Sequence, residues 1–251
     1  MTTATTTNSV PLPRRPARHW WRLVAWLLPL PLLAAAAVVA WKAIQIAGPH
    51  LRAAAALEAT GAKIDWQWDD EDWSSAGYSS LRFGWSFVPE TPSDADLRHL
   101  KDLHRLRSLD LSNCELITDA GLAYLKGLNY LRELRLDRPK LYHGSRRPGP
   151  RITDAGLVHL KSLSRLELLS LEGAKITDAG LANLSGLTAL ETLDLSGTEI
   201  TDAGLRDLQG LPKLDYLRLE KTKVTREGVE ALRRALPEAT ITSSFDRNTE
   251  P

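Results

Sequence analysis

Five residues, Thr-Asp-Ala-Gly-Leu, recur at Thr118, Thr153, Thr177 and Thr201, and this recurrence constrains the fold more than any other feature of the chain. Thr153 to Ile176 and Thr177 to Ile200 are consecutive units of 24 residues each. Leucines hold the same offsets in both: Leu166, Leu169 and Leu171 in one, Leu190, Leu193 and Leu195 in the other. A fixed period of this size, with leucines at set places, is the mark of a solenoid of stacked units.

The physics of one unit explains the pattern. Leu193-Asp194-Leu195 alternates, which reads as a short strand with both leucines on one face. Leu181, Leu184 and Leu187 follow Thr177 at helical spacing, so the Thr177 hydroxyl is expected to cap that short helix. Asp178 in the first turn complements the helix dipole. With Leu190, Leu193, Leu195 and Ile200, a unit has seven aliphatic positions. At roughly 1.5–3 kcal/mol per buried side chain they contribute about 10–20 kcal/mol. Ordering the backbone of such a unit costs at least as much, at about 1–2 kcal/mol per residue. A single unit cannot stand alone, and stacking is obligatory.

The other units follow the same plan with variations. Ser93-Asp94-Ala95-Asp96-Leu97 opens a degenerate first unit, and Thr225-Arg226-Glu227-Gly228-Val229 opens a last one that ends at Ile241. The expected strand centres are Leu109, Leu134, Leu169, Leu193, Leu217 and Ile241, spaced 25, 35, 24, 24 and 24 residues apart. The long interval contains an eleven-residue basic insertion within Pro139 to Pro150. Insertions into solenoids map to loops, often near the binding face.

These units resemble leucine-rich repeats of the Thr-Asp-Ala-Gly-Leu, cysteine-containing-like type. Such repeats occur in bacterial membrane-anchored leucine-rich repeat proteins and in F-box-type adaptors. The resemblance spans about residues 93–242. It implies an α/β solenoid, with short parallel strands on a concave side and short helices on a convex side. The family's cysteine is present only as Cys114; Pro139, Ala174, Thr198 and Thr222 stand at the equivalent places. Cys114 is read as a small buried residue.

Residues 1–22 form a basic tail of disordered composition. No acid precedes Glu58, while Arg14, Arg15, Arg18, Arg22, Lys42 and Arg52 are basic. Setting those six aside leaves 26 basic against 31 acidic residues, a balance of −5 for the remainder. A mildly acidic body argues against a nucleic-acid partner. Leu23 to Trp41 runs nineteen residues without a charge, flanked by Trp20, Trp21 and Trp41. Residues 23–46 are therefore expected to be a transmembrane helix or signal anchor. Four arginines precede it, which places the N-terminus in the cytoplasm and the repeats outside. The alternative is secretion after cleavage near Ala35-Ala36-Ala37 or Val38-Val39-Ala40.

All eight Trp precede residue 86. Residues 49–90 are expected to cap the solenoid's open end, with a helix from His50 to Thr60. Two strands should follow, one through Ile64, Trp66 and Trp68, the other through Leu81, Phe83, Trp85 and Phe87. Residues 91–242 form the repeat domain, and 243–251 a fraying polar tail.

No nucleophile elbow, phosphate-binding glycine loop or His-Glu-x-x-His spacing is present, and the six His form no ligand pattern. The chain reads as non-enzymatic, with no cofactor, metal or small-molecule substrate. A membrane-anchored repeat protein that binds another protein fits best. A soluble F-box-like adaptor in ubiquitin-dependent degradation is the alternative, but it needs a helical F-box region where residues 1–92 offer an apolar span and aromatic strands. The candidate partner-binding residues flank the strand leucines: Asp110, Glu133, Arg135, Leu168, Glu172, Asp194, Tyr216 and Arg218. Arg146 and Arg147 of the insertion complete the set.

Overall fold

The computed structural model describes residues 52–59, 62–67, 77–83, 92–112, 114–137 and 149–246. All of them lie in one compact unit, Pro49–Pro251. The predicted span at 23–46, Trp68, Trp85, Phe87 and insertion residues Arg146 and Arg147 lie outside the described residues. Among the described residues no helix is long and apolar enough to cross a membrane.

Among the described residues one eight-stranded sheet runs in chain order. Its strands are β1 (Ala62–Gln67), β2 (Gly77–Phe83), β3 (Ser108–Asp110), β4 (Glu133–Arg135), β5 (Leu168–Ser170), β6 (Thr192–Asp194), β7 (Tyr216–Leu219) and β8 (Thr240–Ser243). The strands from β2 to β8 are parallel, and β1 pairs antiparallel with β2. Leu109, Leu134, Leu169, Leu193, Leu217 and Ile241 align in register across the sheet, as the repeat spacing predicts. The ladder begins one strand earlier than expected, because Leu81 pairs with Leu109. The second aromatic strand thus starts at Gly77, upstream of its predicted position.

The other layer is made of very short helices. Asp119–Leu122, Asp154–Leu157, Asp178–Leu181 and Leu205–Leu208 are four residues each. Three of them run directly into 3-10 turns, Ala123–Leu125, Val158–Ser162 and Ala182–Leu184. The strand and helix leucines pack into a single core, with Leu109, Leu122, Leu134, Leu157, Leu169, Leu181 and Leu193 all fully buried. Ala53, Ala54 and Leu57 of the helix at 52–58 join that core. Cys114 is buried in it, as expected.

The motif has a cause that the repeat period does not reveal. The threonine N–H and hydroxyl of each unit donate to both carboxylate oxygens of the aspartate one unit earlier. Asp94 receives Thr118, Asp119 receives Thr153, and Asp154 receives Thr177, each with N–H at 2.8 Å and hydroxyl at 2.6 Å. Asp178 with Thr201 and Asp202 with Thr225 repeat the pattern. A Cβ at Gly121, Gly156, Gly180, Gly204 or Gly228 would overlap that same carboxylate, which is why the unit needs glycine there. This clamp corrects the expected cap. The Thr177 hydroxyl makes no capping bond, whereas Thr118 and Thr153 cap at 3.3 Å and Thr225 at 3.1 Å. Each hydroxyl gives its hydrogen to the preceding aspartate, and in Thr118 and Thr153 its oxygen accepts the cap as well.

Of the expected tail at 243–251, residues 243–246 are described and 247–251 lie outside the described residues. Ser243 donates its N–H and hydroxyl to Asp246, and Arg233 of the helix Arg226–Ala235 donates to Asp246 at 2.7 Å. Phe245 packs on the core under Arg226, whose guanidinium lies 5.4 Å from the ring centroid. Burial opposes the Asp246 charge, but the bonds from Arg233 and Ser243 outweigh it and hold its pKa below the ordinary carboxylate value.

Candidate functional site

Because the strand leucines turn into the core, their neighbours occupy the opposite face of the sheet. Register sorts these neighbours into rows. One row runs Ser108, Glu133, Leu168, Thr192, Tyr216, Thr240, and the next Asp110, Arg135, Ser170, Asp194, Arg218, Thr242. The structure therefore places seven of the eight strand candidates in these two rows, and Glu172 follows two residues after Ser170, beyond the end of β5. Glu133, Tyr216 and Arg218 are exposed there, and Asp110, Arg135, Leu168 and Glu172 are half-buried.

Asp194 differs from the expectation of an outward-facing contact. It is buried and already engaged, binding Arg218 Nη1 at 3.1 Å and the Ser196 N–H at 2.9 Å. Ser170 and Ser196 are buried beside it. Asp137, two residues beyond Arg135 and not among the partner-binding candidates, belongs with this group. It accepts a hydrogen bond from the Ser170 hydroxyl. Burial, together with the charges of Asp194 and Glu172, holds the Asp137 pKa above the ordinary carboxylate value, against the pull of Ser170 and Arg135. The signal that finds Asp137 is its place two residues beyond Arg135 in the alternating run.

Ser196 Oγ and Thr242 Oγ1 are enclosed and have no hydrogen-bond partner among the described residues. No group of three or more His, Cys, Asp or Glu is placed to hold a metal ion among the described residues. A depression lined by Pro150, Arg151, Ile152, Thr153 and Lys175 lies where the chain rejoins the solenoid after the insertion. It carries two cations and no nucleophile–base pair.

Family comparison agrees with this architecture. The family described as Leucine rich repeat matches residues 164–224, and a second, described as Leucine Rich repeat, matches residues 102–126. Both matched segments, 102–126 and 164–224, fall within the repeat units. Among solved structures, this chain is similar to an internalin C2 from Listeria monocytogenes at 23% identity and a TM-score of 0.46, covering 59% of this chain and 55% of that one. A second internalin from the same organism shares 20% identity at a TM-score of 0.46, covering 62% of this chain and 38% of that one. This chain thus spans little more than half of the first structure and less of the second. No curated protein matches the sequence.

Proposed function

We propose that this protein is a non-enzymatic scaffold that binds another protein on the strand face of its leucine-rich repeats, held at a membrane by residues 23–46. The observation that carries the reading is the in-register strand face itself, which offers Glu133, Tyr216 and Arg218 to solvent around a half-buried acidic middle. Tyr216 is 39% exposed on a rigid strand, a placement suited to an interface anchor. The twelve residues of these two rows fall short of the roughly 20–30 per side of a standard interface, so in this reading the basic insertion with Arg146 and Arg147 completes it. None of the comparisons supports the adaptor alternative.

Two experiments test this. A photo-crosslinking residue at Tyr216 should trap a discrete partner in intact cells, while one at Val158, exposed in the turn layer, should not. Equal labelling from both positions would remove the strand face from the proposal. For the anchor, the protein should resist extraction by salt and yield to detergent, and protease added to intact cells or spheroplasts should reach the repeats. Release by salt, or full protection until lysis, would overturn the anchor or its orientation.

A further inference from the structure

Charge is segregated along the turns that lead from the helix layer into the strands. In the first three units these turns are residues 101–107, 126–132 and 161–167, and they carry seven Lys and Arg against two acids, Asp102 and Glu167. The same turns of the fourth and fifth units, 185–191 and 209–215, carry one cation, Lys213, against two acids, Glu191 and Asp215. The positive excess is therefore local to one end of a mildly acidic body. Glu167 is already bound to Arg132 at 3.0 Å. Lys101, Arg105, Lys126 and Lys161 are exposed and make no ion pair or side-chain hydrogen bond among the described residues.

Stacking brings these cations together. Lys101, Lys126 and Lys161 hold the same place in consecutive units, at or just past the ends of 3-10 turns that pack side by side. The Arg132 N–H donates to the Arg107 carbonyl and the Glu167 N–H to the Arg132 carbonyl, both at 2.7 Å, so the turns themselves are in contact. The Arg165 guanidinium lies 4.6 Å from the Tyr130 ring centroid across the same boundary. Stacked units repeat at the strand spacing of about 5 Å, so the three lysines stand within a Debye length of about 8 Å and repel one another. Apolar side chains flank the row: Tyr124, Tyr130 and Val158 are all exposed beside it.

We infer that the turns of the first three units rest on the headgroups of a bilayer that contains anionic phospholipid. The inference rests on the reading of residues 23–46 as a membrane anchor. Only residues 47–51 separate that segment from the helix at 52–58, whose Ala53, Ala54 and Leu57 share the repeat core. Fully extended, such a link reaches about 20 Å. In an anchored chain the repeats therefore stay within reach of the bilayer, and the cationic turns select the surface that meets it. Rows of ammonium and guanidinium groups face a layer of phosphates, whose negative potential acts over about a Debye length. Exposed aromatic and aliphatic side chains among the cations suit the boundary between headgroups and acyl chains. A soluble polyanion would pair with the lysines but leave Tyr124 and Val158 in water.

The test reconstitutes the full chain into vesicles of phosphatidylcholine, alone or mixed with phosphatidylglycerol. A fluorophore is placed on Asn129→Cys, in the cationic turns, or on Gln209→Cys, in the fifth unit, and a contact quencher on the lipid headgroups; Cys114 is buried and stays unlabelled. In the mixed vesicles quenching at position 129 should exceed that at position 209 at least about threefold, and the excess should vanish in phosphatidylcholine alone and in high salt. Lys126→Glu with Lys161→Glu should abolish the excess, and Lys126→Arg with Lys161→Arg should keep it. Arg206→Glu with Lys213→Glu, the same charge change in the fifth unit, should alter it less than about twofold. The lipid and salt arms need no substitution in the row, so a misfolded variant cannot decide the outcome. Equal quenching at both positions in the mixed vesicles, or an excess at position 129 that ignores phosphatidylglycerol, overturns the inference. Flotation separates it from the anchor reading. A chain that floats with neither vesicle overturns both, and one that floats only with the mixed vesicles and is released by salt overturns the anchor but keeps the lipid-binding turns.

Discussion

Asp137 and Asp246 show how one residue type takes opposite pH roles in this fold. Burial, with Asp194 and Glu172 nearby, raises the Asp137 pKa in the folded state above 3.8. Its contribution to stability is therefore complete below the unfolded value and is lost as pH rises through the folded one. Asp137→Asn should thus be more stable than wild type at neutral pH, and the gap should close on acidification towards 3.8, read by urea unfolding across that range. Asp246 lies below 3.8 when folded, so its contribution is present at neutral pH and lost as pH falls through the lowered value. Lys221 makes a different residue-scale prediction. It adopts φ 57° at the turn where Gly173 and Gly197 adopt 74° and 72° in the preceding units. The left-handed backbone costs a side-chain-bearing residue about 1–2 kcal/mol. Glycine's greater freedom in the unfolded chain takes back about 0.5–1 kcal/mol. Lys221→Gly should raise stability by up to about 1 kcal/mol, and Gly197→Ala should lower it by about 1 kcal/mol, both measured by denaturant unfolding.

At the scale of the element, the aspartate–threonine clamp explains the motif and its decay at both ends. Gly121, Gly156, Gly180, Gly204 and Gly228 each sit where an upstream aspartate needs room. The first unit has no clamp reaching it from upstream among the described residues, and there Asp96 replaces the glycine and binds Ser93 instead. In the last unit no later threonine is clamped among the described residues, and there Arg226 replaces the aspartate and covers Phe245. At Gly228 the nearest atoms to an added Cβ are all from the Asp202 carboxylate. The pair therefore suits a double-mutant cycle. Asp202→Ala should cost about 1–2 kcal/mol, because two partly exposed hydrogen bonds to a charged group are lost. Gly228→Ala should cost at least as much alone but much less in the Asp202→Ala background, a coupling of at least about 1 kcal/mol. Additive effects would show that the glycine is required for some other reason. The sequence reading assigned these aspartates to the helix dipole, since nothing in a linear pattern says that a side chain serves the unit that follows it.

Across the whole molecule, the ladder passes the insertion without a break. Asp119 and Thr153 are separated by 34 residues and make the same bonds as pairs separated by 23 or 24. Parallel pairing likewise continues from β4 to β5 in unchanged register. Stability in such a stack is a sum of weak units and their interfaces, so a fault at one interface reaches its neighbours. Leu193 is fully buried at the middle of the array. Leu193→Asp should cost several kcal/mol, enough to unfold the repeats cooperatively. Far-UV circular dichroism is the proper readout, because all eight Trp precede residue 86 and report outside the repeats. A variant that keeps the wild-type midpoint would show that Leu193 is not in the core.

What the sequence determined by itself is everything that periodicity encodes: the solenoid, the six repeat strand centres, the face on which Asp110, Arg135, Asp194 and Arg218 lie, and the burial of Cys114. Period and alternation are local properties, and a repeated local property specifies a stack. Tertiary structure decided what depends on neighbours in space. It turned Asp194 from a surface contact into the buried partner of Arg218, brought Asp137 to Ser170, set each threonine on the aspartate one unit back, and left Ser196 Oγ without a partner. Each of these pairs two groups at least 23 residues apart, or turns on what encloses a group, and only packing fixes either.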